Sequence, residues 1–503
     1  LLLVAAALAA AVGLYLQRER LIAGPLGFEG FPLDDAWIHF QVARNVADGN
    51  GFAYNPGVPV SGSTAPLWTL LLAGLFKVGG AHPAWAKAAG IPAALGAAWL
   101  AGRLALAWTA DTSLGLTAAL VTVWSAPMVW GALSGMEVTL AALLVTAALV
   151  AHVEGRVPLS AALVGLAALA RPESVLLIPL LWLAGPVTAR RSLLTLGLPA
   201  VVLLPWVAFN LRTTGTPLPA TAAAKIEGGL VGLLAGAREP ATTALLARPW
   251  QFEREWIVWL TSVNVLLPLL ILPGLWVLWR RGGRAWALPA SILVLHPLGM
   301  ALLAPYRGPA FQEGRYSIQL LPLAIVVAVS ALLPLASVTL SRRFWPMTAC
   351  ALLLLAGLAS LSAGATRYAW AVQNINAMQV GVGRWVESHT PPDSRLALND
   401  VGAIGFLGRR EVVDVMGLVT PAIIPYRRDG EAGVLRFLER ACPDYLIVFP
   451  AWFPTLSART DRFTPIHRVR LEHNTVAGSD EMVVYETVWN RWRPRHEVCE
   501  ARG

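Results

Sequence analysis

Eleven apolar runs punctuate the chain, near residues 1–16, 65–80, 84–108, 113–132, 136–153, 158–187, 192–211, 256–279, 284–304, 316–340 and 344–364. A bilayer core takes about 20 apolar residues per helical crossing. A chain that is 56% hydrophobic and 14% charged carries more apolar surface than one water-soluble core hides, so lipid is part of its solvent. The opening stretch LLLVAAALAAAVGLYL reads as a first crossing rather than a cleaved signal, because further spans follow it. The net charge of +9 comes from arginines clustered at the ends of apolar runs, where the positive-inside rule expects them, and this placement argues against a nucleic-acid partner.

Eleven crossings put the two chain ends on opposite sides of the membrane. Arg190 and Arg191, then Arg280, Arg281 and Arg284, then Arg342 and Arg343, all fall on one side under this count, which is therefore cytoplasmic. The segment 158–187 is long and interrupted by Arg171, Pro172 and Glu173, so it reads as one broken helix or two short ones. The other face receives the loops 17–64 and 212–255 and the tail from about 366. DDAWIHFQVARNVADG, in the first loop, reads as an amphipathic helix at the membrane surface. In the tail the pattern predicts helices over 370–389 and 431–440 and strands at RLALN and YLIVFP, with turns at PPDS, GRRE and CPD. The expected fold is all-α and polytopic over 1–365, with a small α/β extracytoplasmic domain over 366–503. Cys350 lies in an apolar run, and Cys442 and Cys499 in the tail either bridge or stay as thiols.

Charged groups at membrane boundaries are the candidate functional residues. Asp34 and Asp35 follow the first crossing, with His39 and Arg44 on the same helix. A carboxylate there can take the proton of an attacking hydroxyl, while a cation neutralises a departing phosphate. An Asp at a helix start also caps free backbone N–H groups, so one of the pair caps and the other is left for chemistry, or both are structural. Arg171 and Glu173 interrupt LVGLAALARPESVLLIPLLWL, and such intramembrane charges mark either a site or an internal ion pair. Glu137 sits nearer a span end. Lys225 follows two prolines, and Arg315 and Tyr316 stand at the outward end of the tenth run; both basic residues suit a phosphate, and Arg315 with Tyr316 equally suits an interfacial anchor. Asp400 and Asp414 follow strand-like runs, where open α/β domains place ligand groups and also turns.

No GxxxxGK[ST], HExxH, GxSxG or CxxC pattern occurs in the sequence. No metal or other cofactor is assigned; a divalent cation held by His39 with the two aspartates is the alternative left open.

In order along the chain, DDAWIHFQVARNVADGNGFAYNPGVPVSGSTAPLWTLLLA, LSGMEVTL, ALARPESVLLIP, TGTPLPATAAAK, GRYSIQLLPL and NDVGAIGFLGRREVVDVMGLVTP resemble stretches of the GT-C superfamily of polytopic glycosyltransferases. The branch closest in look contains the arabinofuranosyltransferases that cap cell-wall arabinan. The resemblance implies a polyprenyl-phosphate sugar donor, a glycan acceptor, inversion at the anomeric carbon, and a catalytic base at Asp34 with Asp35 beside it. It further implies a tail that helps bind the glycan acceptor; the residues' own chemistry points to Arg315 and Lys225, with Arg171 as a further candidate, for the donor phosphate, and to Asp400 and Asp414 for acceptor contacts. His39, Arg44, Glu137, Glu173 and Tyr316 complete the candidate set. Before the second span this chain has SGSTAPLW, with Ser63 and Thr64, where the branch leads one to expect a Gly-Tyr-Thr-Asn-like turn, and that departure bears on the sugar rather than the reaction. The expected location is the cytoplasmic (inner) membrane, multi-pass, with the tail outside. Alternatives are a protein or lipid glycosyltransferase of the same superfamily, a flippase or transporter of lipid-linked sugars, and a noncatalytic scaffold.

Overall fold

A computed structural model describes residues 1–25, 29–221, 229–234, 239–282, 286–303, 307–336 and 344–491. Lys225, Arg284, Arg342, Arg343 and Cys499 lie outside the described residues. The chain divides into two compact units, one of Leu1–Arg18, Ala86–Trp206 and Ile226–Thr366, the other of Glu19–Trp85, Val207–Lys225 and Arg367–Gly503.

The first unit is helical. Among the described residues of the whole chain, four helices are long and apolar enough to cross a membrane: Leu2–Ile22, Ala84–Thr109, Ala189–Thr214 and Met347–His389. Two bent pairs bring the number to six if each is one span: Thr112–Val123 with Ala126–Leu133, at 55°, and Thr243–Val263 with Leu266–Gly282, at 110°. Other apolar runs form shorter helices, including Val138–Val153, Val157–Ala170 and Ala287–Leu303. The run 158–187 breaks at its proline. Pro172 has no N–H and disfavours the helical region for the residue before it. Arg171 is accordingly extended (φ −144°, ψ 116°), and the chain resumes as a 3₁₀ turn over Pro172–Leu176 and a helix over Leu177–Leu183.

Without a hydrophobic drive between helices in lipid, close approach of backbones supplies the packing. Gly274 lies so near Val327 that a Cβ there would stand 1.9 Å from the Val327 carbonyl oxygen, and Gly102 and Gly115 meet backbone to backbone.

The second unit is built on a five-stranded sheet of β1 (Arg395–Leu398), β2 (Glu411–Asp414), β3 (Tyr445–Val448), β4 (Phe463–Arg470) and β5 (Glu481–Thr487), in the order β2-β1-β3-β5-β4. β1 runs parallel to β2 and β3, while β5 is antiparallel to both β3 and β4. Side chains alternate across a strand, and over β1 and β3 both faces are covered. Leu396, Leu398, Tyr445 and Ile447 pack with Ile38 and Val42 of the first-loop helix and with Met378, Val382 and Val386. Ala397, Leu446 and Val448 pack on the other face with Val434 and Leu438 of the helix Gly430–Ala441. The helix Asp35–Ala47, expected to lie amphipathically on a membrane, has nine of its thirteen residues buried in this unit. GRRE, read as a turn, carries the chain from the helix Ala403–Gly408 through a left-handed Arg409 into β2, where Glu411 already pairs with Arg395 in the parallel register. Cys442 is disulfide-bonded and Cys350 is free.

Candidate active site

Asp34 stands at the first position before its helix, yet its side chain does not cap that helix. Its two oxygens turn instead to the tail, accepting from the backbone N–H groups of Gly402, at 2.7 Å, and Ala403, at 2.8 Å. Those donors open the short helix Ala403–Gly408, whose free N–H groups need acceptors. The approach requires glycine: a Cβ on Gly402 would fall 2.0 Å from the Asp34 carbonyl oxygen and 2.6 Å from its carboxylate. Gly402→Ala should therefore lower stability by about 1–3 kcal/mol, read as a fall in the thermal midpoint of the purified protein; an unchanged midpoint would mean the junction is looser than described.

Asp400 follows β1 by two residues and Asp414 ends the neighbouring β2, so both lie at the carboxyl ends of parallel strands. Asp400 Oδ2 accepts from Gln379 Nε2 at 2.8 Å. The carboxylates sense one another. Burial first, then the Asp400 charge, raise Asp34 well above the ordinary carboxylate range, against the pull of its two backbone donors, and Asp35 adds to the rise. Asp400 is pushed up to about 6 by burial, with Asp35 and Asp414 contributing after Gln379 has pulled the other way. Two aspartates from the first loop and one from the tail, separated by more than 360 positions, thus form one electrostatic group.

Asp414 is wholly buried and its oxygens accept from the N–H groups of Met416, at 2.7 Å, and Val419, at 2.8 Å. It shapes the turn after β2, which is the turn-forming alternative weighed from the sequence. His39 places Nδ1 3.0 Å from Ser63 Oγ and 3.2 Å from Thr69 Oγ1, and those hydroxyls are 2.8 Å apart, tying the first-loop helix to the SGST segment. Arg44 Nη1 donates to the Phe406 carbonyl at 2.9 Å and its guanidinium lies 4.3 Å over the Phe406 ring. Among the described residues no group of three or more His, Cys, Asp or Glu side chains is arranged to hold a metal ion.

The first unit gathers the other candidates. Arg171 donates from Nη1 to Glu137 at 2.6 Å and from Nη2 to Glu173 at 3.1 Å, and lies 4.8 Å over the Tyr316 ring. Arg315 stacks on the same ring at 5.0 Å and donates to the Tyr316 hydroxyl at 3.1 Å. Ser174 and Gln319 join the two segments through a 3.0 Å hydrogen bond. Three stretches far apart in sequence converge on this cluster.

Sequence reasoning missed the residues that assemble the second unit. Tyr54 donates its hydroxyl to the Val401 carbonyl, and Asn55 clasps Val412 on the open edge of β2, donating to its carbonyl at 2.8 Å and accepting from its N–H at 2.9 Å. Gln379, which holds Asp400, was also missed. A hydrophobic pattern carries no trace of such pairings.

Residues 370–493 match the model of a domain family described as a domain of unknown function, DUF8728. No curated protein sequence matches the chain. Among solved structures, ArnT from Cupriavidus metallidurans bound to undecaprenyl phosphate is similar at a TM-score of 0.60 and 10% identity, over 99% of this chain and 98% of that one. The Archaeoglobus fulgidus oligosaccharyltransferase, complexed with zinc and sulfate, is similar at 0.57 and 13% identity, over 96% of this chain and 73% of that one. The fold is GT-C. The mycobacterial arabinofuranosyltransferase AftD, at a TM-score of 0.49 and 18% identity over 95% of this chain and 41% of that one, is too distant in structure to bear on the sugar. Likeness at these identities speaks for the GT-C architecture, and the chemistry has to be argued from the residues.

Proposed function

We propose that this chain is a membrane glycosyltransferase that moves a sugar from a polyprenyl-phosphate donor to a glycan acceptor, with inversion, on the outer side of the cytoplasmic membrane. The carrying observation is the meeting of Asp34, Asp35 and Asp400 on a GT-C fold, where burial and the neighbouring carboxylates raise the proton affinity of Asp34 and Asp400. A general base acts best when its pKa lies near the operating pH. In this reading Asp34, with Asp35 beside it, takes the proton of the acceptor hydroxyl as that oxygen bonds to the anomeric carbon, and the bond to phosphate breaks with its electron pair leaving on the phosphate. Arg315, Arg171 and Lys225 neutralise that charge. A fixed cation costs no reorganisation at the moment of reaction, which is why such groups lower the barrier. Asp400 acts through Asp34, holding its proton affinity high, and the tail carries the acceptor. The apolar runs make eleven crossings. Undecaprenyl phosphate in the ArnT structure favours a lipid-phosphate carrier here, and arabinofuranose is the first sugar to try on the sequence resemblance.

The test is a transfer assay on the full chain in lipid with a panel of polyprenyl-phosphate sugars and a mixed glycan and peptide acceptor pool. Transfer should rise with pH along a limb displaced above the ordinary carboxylate range, since the base must be deprotonated and burial with the Asp400 charge raises Asp34. Asp400→Asn removes the neighbouring negative charge, so the same limb should move to lower pH. Carrier translocation without transfer from any donor would replace the enzyme reading by the flippase one, and an unmoved limb would remove Asp400 from the mechanism.

A further inference from the structure

A cavity of about 480 Å³ opens in the second unit against Trp37 and Arg44 of the first-loop helix, Arg384 of the helix Gly381–His389, Phe406, and Arg409. A further cavity, of about 650 Å³, shares Arg44 and Arg409. The wall of the first is rich in donors. Trp37 is 3% exposed, and its indole N–H has no hydrogen-bond partner among the described residues. Arg44 is half-buried, stacked on Phe406 and fixed by bonds to the Phe406 carbonyl and to Gln41 Oε1. Arg384 and Arg409 are exposed, and neither has an ion-pair partner among the described residues.

Arg409 is held where glycine is the usual choice. It ends the helix Ala403–Gly408 in the left-handed region, at φ 51° and ψ 38°. That backbone sets a second guanidinium close enough to Arg44 that, after burial, its charge is the next cause holding Arg44 down to about 10. Like charges so placed repel unless an anion sits with them. The acids around them are mostly committed: Glu29 faces His82 at 3.6 Å, and Glu411 pairs with Arg395 at 3.0 Å. Asp48 lies near Arg44, and Glu387 lines the rim. Arg410 donates to the carbonyls of Gly408, Glu387 and Thr390, so it is structural.

We infer that this cavity is an oxyanion site that takes a phosphate group, gripped by the guanidinium groups of Arg44 and Arg409. Guanidinium matches phosphate oxygens in a planar fork, and a buried indole N–H suits an acceptor-only ligand. The inference rests on the proposed transfer only for the phosphate's source, which is either a phosphorylated acceptor sugar or a lipid headgroup.

The experiment is equilibrium binding of radiolabelled inorganic phosphate to the full chain in phosphatidylcholine nanodiscs, without donor and without turnover. Saturable binding is expected. Arg409→Gly should weaken it about tenfold or more, since a charged hydrogen bond is worth at least that factor. Glycine accepts the left-handed backbone without strain, so the thermal midpoint of that variant should not fall, which separates lost binding from lost folding. Competition by glucose 6-phosphate supports the site and assigns it to an acceptor; competition by phosphatidic acid placed in the disc supports it and assigns it to a headgroup. Absent binding, or equal binding by Arg409→Gly, overturns the site. Because no transfer is read, that result leaves the glycosyltransferase reading standing, and a failed transfer assay leaves the site standing.

Discussion

Asp34→Asn is expected to cut sugar transfer by about 10²–10⁴-fold, the usual contribution of a positioned general base. The same substitution should also disturb the tail, and the geometry says why. Both carboxylate oxygens accept backbone N–H groups, from Gly402 and Ala403. Asparagine can accept only one of them, and its own N–H₂ then faces the other donor. An unsatisfied buried donor costs about 1–3 kcal/mol. A bare activity loss in Asp34→Asn therefore has two sources, and Gly402→Ala separates them. It strains the same junction while leaving the carboxylate in place, so it should lower the thermal midpoint at least as far and lose much less rate. If Gly402→Ala were as inactive as Asp34→Asn at a similar midpoint, Asp34 would be an anchor for the helix Ala403–Gly408 and the base would have to be sought at Asp35. Asp35→Asn, which leaves the bonds of Asp34 to Gly402 and Ala403 intact, then becomes the deciding variant.

That ambiguity follows from what a sequence can carry. The adjacent acids stood out because charge at the edge of an apolar run has an identifiable cost, and the break at Arg171 stood out because Pro172 enforces it. β1 and β3 were legible as short apolar runs between turns, and the helix over 431–440 from its amphipathic period. β4, an exposed edge strand with alternating polar residues, carried no apolar run to mark it, and β2 was obscured by the charged GRRE before it. The meeting of Asp34 with Gly402, of Asn55 with Val412 and of Asp35 with Asp400 depends on strand order and on the first-loop helix packing against the tail's sheet. No local pattern links positions some 360 residues apart. The resemblance supplied the order of the motifs, while the reason that Asp34 is fixed where it is lay in a backbone it touches only after folding.

Arg171→Met should strongly destabilise the first unit. The Arg171, Glu137 and Glu173 side chains are 5%, 3% and 11% exposed, and the guanidinium is the cation that both carboxylates meet, at 2.6 and 3.1 Å. Removing one member of a buried ion pair costs about 3–5 kcal/mol, because the carboxylates it met lose the hydrogen bonds and charge it supplied. The loss would appear as a lower unfolding midpoint of the purified protein in lipid or detergent. Replacing the whole group is another matter, since a buried network exchanged for neutral groups of similar volume is often neutral in stability. The triple variant Arg171→Met, Glu137→Gln, Glu173→Gln should therefore recover most of the midpoint. Its transfer kinetics decide what the arginine is for. If Arg171 serves only to hold the broken helix, the refolded triple variant turns over with near-native kcat and KM. If it also neutralises the lipid phosphate as that group departs, stability returns while transfer stays low, and kcat falls because the charge it meets develops in the transition state. Restored stability with restored turnover would leave Arg315, stacked on the same Tyr316 ring, as the cation to test for that role.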